Sequence, residues 1–361
     1  MALMRVLFVT DALNNGGAER QLTLLASSLP PTHQASVLTL DGGVFCEVLR
    51  DSGVPVEVFP RRLRYDLTPA LRMWKAAEAI DPDVVHSWGS LASWAMWPYC
   101  RRARIPLIGV IRNARTPRRR NAARPNGAPA DLVVANTRAG LAAYGVPDER
   151  GRVVYNGFDT SRLATIPQRA EPSAFPEVTT VVMAARMSPE KDWSTYLRAA
   201  RRLSATDSGG WRFVAVGDGP DRLRLMKEAT DLVRSGVLTF ASAGTEILPV
   251  VASADVGVLL TDTRFGIEGC SNSVMEYMAC GLPVVCTDCG GNPELVEGGA
   301  TGHLIPPRDD EKLVARLLEL RRDSTRASAM GQAGAARLRQ QFTVQSMVDG
   351  YLSAYEWACS R

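Results

Sequence analysis

The sequence predicts an α/β protein built from two doubly wound parallel-sheet domains that face each other across a cleft. Short apolar runs alternate with helical patterns along most of the chain, which is typical of such sheets. The alternation stops at one polar, Pro-rich segment and then starts again, which indicates two domains. A length of 361 residues fits this division, because single hydrophobic cores stop growing beyond about 250–300 residues.

Seven apolar runs precede the polar segment. Each is rich in β-branched residues and is bounded by Gly, Pro or polar residues. Apolar side chains at successive positions are typical of strands buried on both faces, and such strands form parallel sheets covered by helices. The runs are RVLFVT, ASVLTL, VPVEVFP, DVVHSW, IPLIGVI, DLVVANT and RVVYNG.

The polar segment, NGFDTSRLATIPQRAEPSAFPEV, shows no periodicity and predicts a linker. Five more runs follow it, each leading into a helical stretch: TTVVMAAR, RFVAVGDG, VLTF, DVGVLLTD and LPVVCTD. We therefore predict a first Rossmann-like domain over residues 1–165 and a second over residues 166–343. The tail, residues 344–361, has one apolar face at helical spacing and predicts a helix that packs on either domain.

The composition excludes several classes of protein. With 46% hydrophobic and 22% charged residues, the chain is neither disordered nor collagen-like, and no apolar run reaches the ~18 residues of a membrane helix. The first residues lack the cleavage site of a signal peptide, so a cytoplasmic location with reduced thiols is expected. A net charge of +4 is too small for a general nucleic-acid binder, so no nucleic-acid partner is expected.

Positive charge is concentrated in one stretch. Residues 101–170 hold 14 Arg and four acidic residues, a net +10, which leaves −6 for the rest of the chain. Most of these Arg lie within residues 101–124. Either this stretch is a solvated loop face, or it contacts an anionic partner such as a phosphorylated substrate or the inner surface of a membrane.

Two glycines follow the first predicted strand, at the edge where open α/β sheets bind their ligands. The backbone N–H groups of Gly16 and Gly17 can meet an anion at a helix N-terminus, or the pair can form a plain tight turn. The chain has neither a G-x-G-x-x-G motif nor a P-loop motif. The sequence therefore disfavours a nicotinamide dehydrogenase and excludes a P-loop NTPase.

The second domain offers two cations after its first strand. Arg186 and Lys191, in AARMSPEKD, suit a diphosphate because both carry a full positive charge at the mouth of the predicted cleft. The alternative is an ion pair with the neighbouring Glu190 or Asp192.

Two carboxylates lie further along, in EGCSNSVMEYMACGLPVVCTDCGGN. Glu268 falls in a loop, and Glu276 falls about one turn inside a helix that begins near the capping residue Ser271. A carboxylate accepts two hydrogen bonds and so matches a ribose diol or a pair of sugar hydroxyls. The alternative is that both carboxylates are solvated.

Two patterns with the spacing of metal or redox sites are predicted to be neither. Asp81-Pro82-Asp83 is formally D-x-D, but it falls at an expected helix-to-strand turn. Cys286 and Cys289 have no second C-x-x-C pair, so small buried residues are expected there. No metal site is therefore predicted.

Six segments in this order together resemble the family 4 glycosyltransferases, which have the GT-B fold. They are NGGAER, YNGFD, AARMSPEKD, VGDGP, the segment from Glu268 through Glu276 into MACGLPVV, and GGNPELV. The resemblance spans nearly the whole chain. It implies a retaining enzyme that moves a hexose-type sugar from a nucleotide-diphosphate sugar, with UDP favoured, to a glycan, lipid-linked or other hydroxyl acceptor. It also implies that no metal or other cofactor is required.

The resemblance implies an acceptor-side first domain, a nucleotide-sugar-binding second domain and roles for single residues. Arg186 and Lys191 hold the donor diphosphate and stabilise the leaving nucleotide, Glu268 contacts the transferred sugar, and Glu276 binds the ribose hydroxyls. The turn near Ala243 and Gly244 holds the base. The other substrate-binding positions are Gly16, Gly17, Arg112, Gly217, Gly269, Cys270, Ser271, Asn272, Ser273 and Glu294.

The sequence departs from the family pattern at one position. Many members have a His after the strand read here as IPLIGVI, whereas this chain has Arg112. The only nearby histidine is His86, at the end of the preceding strand. Either Arg112 replaces the histidine in binding sugar or phosphate, or the acceptor is held differently. Two other functions fit the same architecture, a nucleotide-sugar epimerase and a non-catalytic sugar-nucleotide-binding protein.

Overall fold

A computed structural model describes most of the chain and divides it into two compact units. The described residues are 3–14, 16–61, 66–112, 130–164, 166, 177–207, 209–242, 244 and 246–360. Unit 1 comprises Met1–Gly157 and Val344–Arg361, and unit 2 comprises Phe158–Thr343. The division at Gly157 precedes the predicted boundary at residue 165. Residues 113–124 of the Arg-rich stretch and residues 167–176 of the predicted linker lie outside the described residues.

Each unit contains one sheet in which all neighbouring strands are parallel. The strands of unit 1 are β1 (Met4–Thr10), β2 (His33–Thr39), β3 (Val56–Val58), β4 (Val84–Ser87), β5 (Leu107–Ile111), β6 (Leu132–Ala135) and β7 (Gly151–Val153). Those of unit 2 are β8 (Thr179–Ala184), β9 (Trp211–Val216), β10 (Leu238–Ala241), β11 (Val256–Leu259), β12 (Val284–Thr287) and β13 (Gly302–Ile305).

The strand orders are β3-β2-β1-β4-β5-β6-β7 in unit 1 and β10-β9-β8-β11-β12-β13 in unit 2. In both sheets the order reverses beside the first strand, between β1 and β4 and between β8 and β11. This is the doubly wound arrangement that the sequence predicts, and it places a ligand-binding edge at each reversal point.

Helices connect the strands. They are α1 (Gly17–Ser27), α2 (Val44–Asp51), α3 (Thr68–Ile80), α4 (Ser90–Ala103), α5 (Arg138–Ala143), α6 (Trp193–Thr206), α7 (Arg222–Glu228), α8 (Thr230–Arg234), α9 (Leu248–Ala252), α10 (Asn272–Ala279), α11 (Asn292–Leu295), α12 (Asp310–Arg322), α13 (Ser324–Gln341) and α14 (Val344–Cys359). The described helices include none long and apolar enough to cross a bilayer.

The prediction of one element needs correction, and one strand was missed. The predicted linker begins with order, because Thr160–Leu163 form a 3-10 helix whose first turn is capped by Asp159, which accepts a hydrogen bond of 2.9 Å from the backbone N–H of Ser161. Strand β13 was not predicted, since Gly302 and His303 interrupt the apolar run that identifies the other strands.

The C-terminal helix α14 belongs to unit 1, which decides between the two positions that the sequence left open. Its residues Tyr351 and Tyr355 are buried in the same core as strand β1. A hydrogen bond of 2.8 Å joins Tyr355 Oη to Nδ1 of His86, which is fully buried. Burial, together with the nearby charge of Arg112, lowers the pKa of His86 well below its ordinary value. His86 is therefore a neutral packing residue of this core.

In unit 2, helix α10 is fastened to the reversal point of the sheet by one buried tyrosine. Tyr277 Oη accepts a hydrogen bond of 2.6 Å from the backbone N–H of Ala184 at the end of β8. The same hydroxyl donates to the carbonyl oxygen of Val258 in β11 at 3.1 Å. Gly257 leaves room for the tyrosine ring, because a Cβ at this position would overlap it. The neighbouring residue Glu276 is thereby held at a fixed position beside the reversal point.

Candidate active site

The loops that follow β8 and β11 are joined by backbone hydrogen bonds at the reversal point of unit 2. Asp192 donates from its backbone N–H to the carbonyl of Leu260 at 3.0 Å, and Asp262 donates to the carbonyl of Glu190 at 3.0 Å. The Asp192 side chain caps helix α6 by accepting hydrogen bonds from the backbone N–H and the hydroxyl of Thr195, at 3.1 and 2.6 Å. Lys191, which precedes Asp192, is thus placed at the carboxyl edge of the sheet.

The structure brings the predicted cation Lys191 and the predicted carboxylate Glu268 together. Lys191 Nζ forms an ion pair with Glu268 Oε1, and the Thr261 hydroxyl donates to the same oxygen at 3.0 Å. The side chains of Lys191 and Glu268 are only 16% and 13% exposed. Lys191 is therefore paired with Glu268 and not with Glu190 or Asp192, the partners that the sequence offered.

The backbone of the Glu268 loop contacts the glycine pair of the GGNPELV motif. The backbone N–H of Gly291 donates to the Glu268 carbonyl oxygen at 3.0 Å. Gly290 has φ of +55°, and a Cβ there would overlap the same carbonyl. Glu294, the weaker donor-side candidate, follows in helix α11 and is half-buried.

Helix α10 begins directly after the Glu268 loop. Ser271 is its N-cap, as predicted, and its hydroxyl accepts from the backbone N–H of Val274 at 3.4 Å. Gly269 and Cys270 are buried, whereas Asn272 and Ser273 in the first turn are half-buried. The N-terminus of this helix carries partial positive charge, which favours an anion beside Glu268.

Glu276 is buried within α10 and is paired with an arginine that the sequence reasoning missed. Arg162 Nη2 donates to Glu276 Oε1 at 2.8 Å, and Arg162 also donates from Nε and Nη2 to Glu246 at 3.0 and 2.8 Å. Although burial disfavours a charged guanidinium, the hydrogen bonds to Glu246 and the charge of Glu276 raise the pKa of Arg162 above its ordinary value. The signal available in the sequence was an Arg shortly after the YNGFD motif.

The remaining predicted residues of unit 2 lie at other strand ends. Arg186 is exposed after β8, and its carbonyl accepts a hydrogen bond of 3.1 Å from Trp193 Nε1. Gly217 ends β9 with φ of +147°, where a Cβ would overlap the carbonyl of Ala185. Gly244 is exposed in the loop after β10, and Ala243 lies outside the described residues.

In unit 1, Gly16 and Gly17 lie at the N-terminus of α1. The N–H of Gly16 donates to the carbonyl of Asn14 at 2.9 Å, and the carbonyl of Gly16 accepts from Arg20 at 3.0 Å. Gly16 thus forms a tight strand-to-helix turn, and anion binding at Gly16 and Gly17 stays a prediction.

Arg112 lies at the carboxyl edge of the unit 1 sheet, and residues from neighbouring strand ends hold it there. Its guanidinium carbon is 4.4 Å from the ring centroid of Trp88, and its Nη2 donates to Asn156 Oδ1 at 2.8 Å. Asn136 Nδ2 donates to the Arg112 carbonyl at 3.3 Å. Trp88, Arg112, Asn136 and Asn156 follow β4, β5, β6 and β7, which are adjacent in the sheet. The sequence reasoning identified Arg112 but not the three residues that orient it.

The two patterns that resemble metal sites have other surroundings: the aspartates contact an arginine, and the cysteines are buried or half-buried. Asp81 and Asp83 contact Arg5, through an ion pair of 2.8 Å and a backbone hydrogen bond of 2.6 Å. Cys286 is fully buried, which raises its pKa well above the ordinary value, and Cys289 is half-buried. Within the described part of the chain, no three His, Cys, Asp or Glu side chains are grouped so that they could hold a metal ion.

Comparison with known proteins gives the family. Residues 15–162 match the family described as Glycosyltransferase Family 4, and residues 178–323 match Glycosyl transferases group 1. A GDP-mannose-dependent alpha-mannosyltransferase of Mycobacterium tuberculosis is 30% identical over 83% of this chain and 79% of its own length. The chain is a family 4 glycosyltransferase.

Two further likenesses are to a second relative and to a solved structure. A GDP-mannose-dependent alpha-(1-6)-phosphatidylinositol monomannoside mannosyltransferase of Mycolicibacterium smegmatis is 29% identical to this glycosyltransferase, over 88% of the chain and 89% of the relative. The crystal structure of Anabaena HepE in complex with UDP has a TM-score of 0.82 at 22% identity, covering 98% and 100% of the two chains. The GT-B fold predicted for this glycosyltransferase is thereby confirmed.

Proposed function

We propose that this glycosyltransferase moves a hexose from a nucleoside-diphosphate sugar to a hydroxyl of a lipid-linked acceptor, with retention of configuration and without a bound metal ion. The observation that carries the proposal is the cluster of Lys191, Thr261 and Glu268 at the carboxyl edge of the unit 2 sheet. The cluster combines a cation for a phosphate with a carboxylate for sugar hydroxyls, beside a helix N-terminus.

GDP-mannose is the first donor to test. The sequence favours UDP, but two relatives that cover 83% and 88% of the chain are named for GDP-mannose. The same relatives support a glycolipid acceptor, since one of them is named for phosphatidylinositol monomannoside.

Transfer with retention requires that the acceptor enter on the face that the leaving group vacates, and the protein assists by stabilising the leaving group. As the bond between the sugar and the diphosphate breaks, negative charge grows on the diphosphate, and Lys191 and Arg186 offset that charge. The acceptor hydroxyl enters on the same side as the leaving group, and the leaving phosphate oxygen takes its proton. Glu268 accepts hydrogen bonds from the transferred sugar, and Thr261 keeps its carboxylate oriented.

The test measures nucleotide release from GDP-mannose and from UDP-glucose, each with and without a phosphatidylinositol mannoside as acceptor. We expect acceptor-stimulated release of GDP, at a rate that EDTA leaves unchanged because two protein cations replace the metal. An epimerase would change the sugar without releasing nucleotide, and a binding protein would do neither. Loss of activity in EDTA that Mg²⁺ restores would contradict the metal-independent mechanism.

The proposal includes docking of unit 1 on an anionic membrane surface. Helices α3 and α4 are tied together by a hydrogen bond of 2.6 Å from Trp74 Nε1 to the Ala95 carbonyl. Four large apolar residues are exposed on these helices. They are Leu67, the N-cap of α3 (75%), Leu71 in α3 (60%), and Leu91 (45%) and Trp94 (44%) in α4. At the other end of α4, Arg101, Arg102 and Arg104 are exposed. Exposed apolar residues together with cations suit a lipid surface with anionic headgroups.

Vesicle sedimentation tests this docking. The protein is expected to sediment with vesicles that contain phosphatidylglycerol, and sedimentation should decrease with salt because screening shortens the reach of the charges. Trp94→Ala and the double change Arg101→Gln/Arg102→Gln should each reduce the bound fraction. Leu223→Ala is the matched control, since Leu223 is an 82% exposed residue of unit 2. If the protein bound neutral vesicles at high salt as well as it bound phosphatidylglycerol vesicles at low salt, the proposed electrostatic contribution to docking would be contradicted.

A further inference from the structure

We propose that Arg162 is a positioning residue that holds the Glu276 carboxylate ready for the ribose hydroxyls of the donor. This rests on the proposed function together with the ribose-binding role that the family resemblance implies for Glu276. Arg162 lies in the 3-10 helix at the start of unit 2, far from Glu276 in sequence, and its Nη2 donates to Glu276 Oε1 at 2.8 Å. No role for Arg162 follows from the diphosphate and sugar contacts assigned to Lys191 and Glu268.

Burial makes a charged partner important for Glu276. The Glu276 side chain is 5% exposed and that of Arg162 is 17% exposed. A carboxylate taken out of water needs a charged, hydrogen-bonded partner to remain ionised. An ionised carboxylate accepts hydrogen bonds at both oxygens, whereas a protonated one must donate from one of them. Arg162, which donates to Glu276 at 2.8 Å, therefore favours the form of Glu276 that two donating hydroxyls require.

The arginine is itself held in one orientation. Its Nε and Nη2 bind both oxygens of Glu246, at 3.0 and 2.8 Å, in the planar two-point geometry that only arginine provides. Glu246 is fixed in turn, because its Oε1 accepts from the backbone N–H of Leu248 at 3.0 Å. The guanidinium also lies 5.4 Å from the ring centroid of Phe158.

This chain of contacts joins three segments of unit 2. Glu246 belongs to the loop after β10, where the base is expected, Arg162 to the 3-10 helix, and Glu276 to α10. A single guanidinium thus couples the loop expected at the base to the carboxylate expected at the ribose. Removing an ion pair with a purely structural role would change the free energy of unfolding, but it would not change the discrimination between ribose and deoxyribose.

The experiment compares each nucleotide with its 2′-deoxy form by titration calorimetry, using GDP and 2′-deoxy-GDP, and UDP and 2′-deoxy-UDP. One hydroxyl donating to a charged acceptor should give the parent protein a ribose preference of about 10- to 100-fold. Arg162→Met and Glu276→Gln should each reduce this preference to about threefold or less, and Glu246→Gln should reduce it partially. Arg201→Met is the matched control, because Arg201 makes a similar two-point contact with Asp231 elsewhere in unit 2.

The outcomes separate the inference from the proposed function. Loss of the preference in Glu276→Gln but not in Arg162→Met overturns the positioning role and leaves Glu276 on the ribose. A preference that survives in Glu276→Gln, or that is absent in the parent, overturns the ribose assignment and the inference with it. Melting curves accompany every variant. If Arg162→Met does not fold, Glu246→Gln decides, and an unchanged preference in that folded variant overturns the inference.

Discussion

We expect Lys191→Ala to lower the turnover of this glycosyltransferase by about 10²–10³, or about 3–4 kcal/mol, while the protein stays folded. Charge grows on the diphosphate as the sugar bond breaks, so a lysine that contacts the diphosphate, as proposed for Lys191, would bind the transition state better than the ground state. The structure adds a reason for a large effect. Lys191 is oriented by its ion pair with Glu268 and by backbone pairing with the residue Thr261, so the cation is in place before the charge develops.

Steady-state kinetics with saturating donor, together with a melting curve for each variant, measure this effect. Arg186→Ala should behave similarly, and the double variant should lose less than the product of the two single losses, because both cations act on one leaving group. Lys227→Ala is the control, since Lys227 is an exposed lysine of the same unit. Turnover near that of the parent in folded Lys191→Ala would refute the leaving-group role.

We expect Glu276→Ala to weaken nucleotide binding by about 10²–10⁴-fold. Two ribose hydroxyls would lose a charged acceptor, and each such hydrogen bond contributes a net free energy of about 1.5–3 kcal/mol. Arg162 keeps its two-point contact with Glu246 in this variant, so the loss falls on the ligand more than on the fold.

Calorimetry with GDP, UDP and ADP measures this loss. Glu268→Ala should behave differently, with turnover impaired more than binding of the bare diphosphate, because Glu268 is assigned to the sugar. Glu311→Ala is the control, as its side chain is 77% exposed in α12. Parental affinity of Glu276→Ala for all three nucleotides would show that the ribose assignment is wrong.

The sequence predicted the sheets well because strands buried on both faces have uninterrupted apolar runs. Strand β13 was the exception, since Gly302 and His303 dilute its run. The position of α14 could not be predicted, because an amphipathic pattern shows that a helix has a buried face but not which sheet covers it. That choice depends on contacts such as the one between Tyr355 and His86, which are distant in sequence.

The candidate site was predictable to the extent that its residues follow strands. Lys191 and Glu268 each come after a strand beside the reversal point, so the topology alone brings them to one edge of the sheet. Arg162 could not be found in this way, because it lies in a segment without periodicity and 114 positions from Glu276 in sequence. A linker-like segment carries no pattern that reveals which buried carboxylate its arginine will meet.

The reaction proposed for this chain is transfer of a hexose from a nucleoside-diphosphate sugar with retention of configuration. Its most direct test is one reaction with GDP-mannose and a phosphatidylinositol mannoside, in which GDP release and the anomeric configuration of the product are followed together by NMR. We expect one GDP to be released for each α-linked mannose transferred, since the donor is itself α-linked. A β-linked product would contradict retention, and the absence of any acceptor-dependent nucleotide release from GDP-, UDP- and ADP-sugars would contradict the transfer itself.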